Sequence, residues 1–130
     1  MKKFHLLLAA LAIYGSYSMA AMAGKDISAS MDVIASSYRI VLKTDSPQEF
    51  KQALITMKIA ALQAQKGRPP KLQNEKMDSA NMKDYRYGLS VLIGQIDNAA
   101  QLADAGQLQQ AQQIARDFEN TKKVYHRKYK

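Results

Sequence analysis

The strongest constraint on this chain is the spacing of its apolar residues. Ile27, Met31, Ile34, Tyr38 and Val41 follow one another at alternating intervals of four and three. The same rhythm joins Phe50, Leu54, Met57, Ala61 and Ala64. It returns in Met82, Tyr85, Leu89, Leu92, Ile96, Ala99 and Ala103. A last series runs Leu108, Ala111, Ala115, Phe118, Lys122, Tyr125 and Tyr129. An α-helix turns once in about 3.6 residues, so each series lies along one side of a helix and marks the stripe it buries. Lys122 is the one charged member of these stripes.

The breaks between the series are equally readable. Ser46-Pro47-Gln48-Glu49 places a capping serine before a proline at the first helical position, with a glutamate three residues on. Gly67 stops the second helix, and Pro69-Pro70 keeps it from resuming. Gly106 parts the third and fourth helices with almost no loop. The spacing predicts helices near 26–43, 46–66, 80–105 and 107–129. Two tight connections force antiparallel neighbours, so the expected fold is an all-α, antiparallel up-down-up-down four-helix bundle. Segment 67–79, GRPPKLQNEKMDS, is long for a bundle connection. It falls at the end that also holds the start of helix 1 and the finish of helix 4.

The N-terminus, MKKFHLLLAALAIYGSYSMAAMA, reads as a secretory signal peptide over residues 1–23. Lys2 and Lys3 precede a short apolar run, Leu6 to Ile13, and Ala21-Met22-Ala23 is a cleavage site. The run is too short to span a bilayer. The expected product is a single domain, 24–130, exported to the periplasm and free of the membrane after cleavage. It has no cysteine. That excludes disulfides, thiolate metal sites, thiol nucleophiles and covalent C-x-x-C-H haem attachment. Of 19 basic residues Lys2 and Lys3 leave with the signal, so 17 face 11 acidic residues, a net charge of +6. Such a balance favours anionic partners without naming one. Export speaks against nucleic acid.

His126 is the only histidine beyond the signal. It lies one turn from the end of a basic, tyrosine-rich tail, TKKVYHRKYK. At 1.5 Å per residue it stands roughly 5–6 Å from the loop-covered end of the bundle, and Met31 stands roughly 8 Å from it. Helices 1 and 4 are neighbours, so a thioether and an imidazole face each other at similar depth. That is an axial pair used for haem iron in electron-transfer proteins. Ile27, Ile34, Met57, Leu89 and Pro70 can wall a porphyrin, and Tyr85 and Tyr125 add aromatic contacts. Lys122, Lys130 and Arg127 can neutralise propionates. Each residue also has a plain reading: core for Met31, a helix-dipole partner for His126, a snorkelling side chain for Lys122. Asp84 and Asp97 share one helix and read as solvating residues.

Three stretches carry a family resemblance: ALITMKIAALQAQKGRPPKL, MKDYRYGLSVLIGQIDNA and YHRKYK. From about Lys25 to Lys130 the chain resembles the soluble periplasmic cytochrome b-562 family. That family's ligand methionine falls on Met31, and the histidine of its terminal Y-H-x-K-Y motif falls on His126. The resemblance implies one non-covalent b-type haem per chain, Met/His ligation, electron transfer with protein redox partners, a monomer, and no enzymatic turnover. Lys122 and Lys130 stand where arginine is expected, and Tyr85 and Leu89 where phenylalanine is expected. Lysine keeps the charge but loses the planar fork. Two other readings stay open on the residues alone: a haem-free periplasmic adaptor or chaperone, and a haem-storage protein. A hydrolase or transferase has too little to work with, given one histidine and no facing acid pair.

Overall fold

The computed structural model describes residues 27–130. The signal peptide and its cleavage site lie outside the described residues. The described chain is helical throughout, in the order α1 (Ser28–Lys43), α2 (Pro47–Ala64), a 3-10 turn (Pro70–Leu72), α3 (Ala80–Asp104), α4 (Leu108–Arg116) and α5 (Phe118–Tyr129). This is the expected bundle, with its fourth helix divided in two.

Local chemistry sets the ends. The Ser46 hydroxyl accepts the Glu49 N–H at 3.2 Å, and Pro47 opens α2. Ser79 caps α3 by accepting the Met82 N–H at 3.1 Å. At the other end of α3 the N–H groups of Gly106 and Gln107 bond the carbonyls of Ala103 (3.0 Å) and Leu102 (2.9 Å). That is a Schellman stop, and it needs the left-handed φ of +78° that Gly106 supplies. The long connection is built of side chain to backbone bonds. Arg68 Nε donates to the Glu75 carbonyl at 2.8 Å, Gln73 Nε2 to that of Arg68 at 2.9 Å, and Arg86 Nη1 to that of Met77 at 2.6 Å.

The predicted continuous helix over 107–129 is interrupted at Asp117. Here Asp117 N–H bonds the Ile114 carbonyl at 3.0 Å and Asn120 N–H bonds that of Asp117 at 3.1 Å, both tight i→i−3 steps. A side chain from another helix meets the backbone here. The Tyr38 hydroxyl donates to the Ala115 carbonyl at 2.8 Å, with that of Arg116 at 3.4 Å. No backbone bond joins the Glu119 amide to the Ala115 carbonyl, which takes the Tyr38 hydroxyl instead. A side chain inserted into the ladder is a recognised cause of a helix break. The apolar period runs straight across it and gives no warning.

The stripes pack as two linked cores. Val41, Phe50, Leu54, Ile96, Ala99, Ala115 and Phe118 close the end away from the long loop. Ile27, Ala61, Ala64, Leu72, Met82, Tyr85, Leu89 and Tyr129 gather at the loop end. Asp84 and Asp97 do more than face solvent. Asp97 accepts Lys58 at 2.8 Å, tying α2 to α3. Asp84 accepts both the Tyr129 hydroxyl and Lys128, the latter at 3.1 Å, tying α3 to the end of α5.

Candidate functional site

The stripes are not sealed everywhere. Met31, Ile34, Tyr38, Leu92 and Tyr125 are only half-buried although they sit on inward positions. All five line one cavity of about 330 Å³ at the loop end of the bundle, between α1, α3 and α5. That is within the range of small-molecule and cofactor pockets, roughly 300–1,000 Å³. These five inward residues remain partly open because the space between them is a cavity rather than packed side chains.

Every residue expected at the site except Arg127 lines this cavity. Met31 stands on the α1 wall and His126 on the α5 wall, both half-buried. Ile27, Met57, Tyr85 and Leu89 are buried and form its floor and sides, and Ile34 continues the α1 wall. The Tyr85 hydroxyl donates at 2.7 Å to the Ala64 carbonyl at the end of α2, which also accepts the Gly67 N–H at 3.2 Å. Burial therefore pushes its pKa up, and its ring alone faces the chamber. Pro70, Lys122 and Lys130 are exposed and stand at the rim. Lys122 is thus not a buried charge. It projects past the edge of its stripe and lies 3.9 Å from Glu119, so the desolvation cost implied by an inward lysine does not arise. Arg127, the third cation expected near the site, is not in the lining. One residue beyond His126, it is turned about 100° around the helix.

The electrostatics favour a neutral imidazole. Burial, then the charges of Lys130 and Lys122, hold the His126 pKa below its ordinary 6.5, against a smaller pull from Glu119. Tyr125 stacks on Tyr129 (centroids 6.4 Å apart), and Tyr129 meets Tyr85 edge-on at 6.2 Å, so three tyrosines share one wall. Tyr125 also carries Lys128 over its ring at 5.0 Å. Among the described residues no group of three His, Asp or Glu side chains converges as a metal site would require.

Sequence reasoning missed several lining residues. Tyr38, Leu92, Phe118 and Tyr129 lie on the inward stripes and were legible there as core, not as site. Gly88 carries its own signal, a lone glycine inside a helical run. A Cβ there would stand 2.6 Å from the Tyr125 ring, so the absent side chain makes room for that ring. Asp32 and Thr121 sit off the stripes, where no periodicity points to them.

A helical bundle with an apolar chamber between its first and last helices, a thioether on one wall and an imidazole on the other, falls in the class of small bundles that hold a group between facing helices. The chain matches the cytochrome b562 family over residues 26–130 and belongs to that family. It is 48% identical over 125 residues to a probable soluble cytochrome b562 of Yersinia pestis, covering 96% of this chain and 94% of that one. A second probable soluble cytochrome b562 from the same organism is 35% identical over 100 residues, covering 77% and 79%. An uncharacterized Pasteurella multocida protein is 32% identical over 82 residues, covering 63% of each. No helix among the described residues is long and apolar enough to cross a membrane.

Proposed function

We propose that this protein is a periplasmic electron carrier that holds one b-type haem without covalent links, with Met31 and His126 as axial ligands. The observation that carries the reading is the shared chamber: the one imidazole among the described residues, on α5, and a thioether on α1 line the same largely apolar cavity. Family membership supports it. The residues fit the group. The donors suit iron, the walls are apolar, cations stand at the rim, and the absence of cysteine matches non-covalent binding.

Haem, when bound, supplies reversible one-electron chemistry at its iron. This chain's own residues do the rest. Met31 offers a soft sulfur donor, and His126 offers a nitrogen lone pair that stays unprotonated at neutral pH. Ile27, Ile34, Met57 and Leu89 exclude water. Lys122 and Lys130 balance carboxylates at the mouth as point charges, without arginine's two-pronged geometry. The chain acts as a monomer with protein redox partners, and residues 1–23 direct its export.

Visible spectra of the purified protein, oxidised and dithionite-reduced, test this. Sharp reduced α and β bands are expected. His126→Ala should abolish the low-spin spectrum while leaving the helix content. Met31→Ala should keep haem but open one position to carbon monoxide and lower the reduction potential. A colourless protein that takes up no added haem would sink the reading.

A further inference from the structure

The geometry points to Tyr38 as the positioning residue for His126: its hydroxyl, by breaking the last helix, sets where the imidazole stands against Met31. This rests on the proposed Met31/His126 pair. It makes the helix break a working part of the site.

The two groups to be aligned are on α1 and α5, and so is the device that relates them. Tyr38 is seven residues, two turns, beyond Met31 on the same inward side of α1. Phe118 opens α5, eight residues before His126. At the junction the Tyr38 ring stacks on Phe118, with centroids 5.7 Å apart. Its hydroxyl occupies the Ala115 carbonyl at 2.8 Å. Both rings line the same chamber as the two donors. Tyr38 therefore sits in the chamber lining at the junction where α5 begins.

The magnitude decides whether this matters. His126 lies roughly 12 Å along the helix from Phe118 at 1.5 Å per residue. Any bend of the axis at the break is magnified over that distance, about 2 Å for each 10°. Tightening from 3.6 to 3.0 residues per turn also rotates the downstream helix by about 20° for each residue involved. Binding sites tolerate misplacement of only about 0.5 Å and 10–20°. A continuous fourth helix would therefore carry His126 far outside that tolerance. The other end of α5 does not compensate, because Asp84 ties Tyr129 and Lys128 to α3, not to α1.

The test is Tyr38→Phe, which keeps the ring and its stack on Phe118 and removes one oxygen. In the cofactor-free protein, backbone NMR and a crystal structure should show the Glu119 amide rebonded to the Ala115 carbonyl and helical geometry restored across 115–120. In the haem-loaded protein, haem dissociation should be at least tenfold more favourable than in the parent. The methionine–iron charge-transfer band should weaken, with circular dichroism unchanged. Persistence of the break in Tyr38→Phe would overturn the inference. So would a healed helix whose haem affinity, spectrum and potential match the parent. If the parent protein itself takes up no haem, the functional reading fails and the positioning role with it, while the NMR comparison still reports whether the hydroxyl makes the break.

Discussion

At the scale of single residues, two glycines on one helix show how context reverses a substitution. Gly88 and Gly94 both lie inside α3, where glycine costs about 1 kcal/mol relative to alanine. Around Gly94 a new Cβ meets nothing within 4 Å. Gly94→Ala should therefore stabilise by about 0.5–1 kcal/mol, read as a raised thermal midpoint. At Gly88 the same methyl lands 2.6 Å from Tyr125. Gly88→Ala should destabilise by about 1–3 kcal/mol, the usual cost of overpacking, and should weaken haem uptake by displacing a ring of the chamber wall. Equal effects at the two sites would refute the close approach of that ring. Lys122 carries a related lesson. Its place in the apolar rhythm suggested a buried charge, yet a long side chain at the stripe's edge reaches solvent and Glu119.

At the scale of elements, the connections do as much as the helices. The turn between α3 and α4 needs only residues 105–107 because Gly106 takes the left-handed conformation itself. Gly106→Ala should cost about 1–2 kcal/mol in denaturant unfolding, since a Cβ is strained at that φ. A neutral outcome would mean that the turn has another low-energy form. The fourth helix is the element that sequence periodicity described least well. Its stripe is unbroken from Leu108 to Tyr129, and every member but Lys122 packs inward. At the break, the Ala115 carbonyl takes a hydroxyl from 77 positions earlier in the chain. α5 is consequently a short wall held at both ends, by Tyr38 at its start and by Asp84 at its finish.

At the scale of the whole molecule, the loop end carries two groups that link its stability to pH in different windows. Burial and nearby lysines depress the His126 pKa, so below its ordinary 6.5 the unfolded chain binds the proton more readily. Stability of the cofactor-free protein should be constant above that value, fall as the pH drops through it, and level off below the folded pKa. His126→Gln should remove this step. Bonds from Tyr129 and then Lys128 hold the Asp84 carboxyl below its ordinary 3.8. Its contribution is present above 3.8 and is lost as the pH falls through the lower folded value. Asp84→Asn should shrink that acid limb without moving the first step. A pH profile with the upper step intact in His126→Gln would show that the imidazole is not desolvated.

The sequence by itself determined the helices, their order and the antiparallel topology, and it pointed to eleven residues that line one cavity. Helix periodicity, caps and short turns are local, and depth along a helix follows from counting residues. Family resemblance fixed which methionine and which histidine to weigh. The structure alone decided three things. One is that inward residues of α1, α3 and α5 leave a cavity at the loop end, which depends on how separate helices pack. Another is that Gly88 seats the Tyr125 ring. The last is that Tyr38 breaks the fourth helix. Each is a contact between residues far apart in the chain, and the period of a single helix says nothing about what another helix will insert into it.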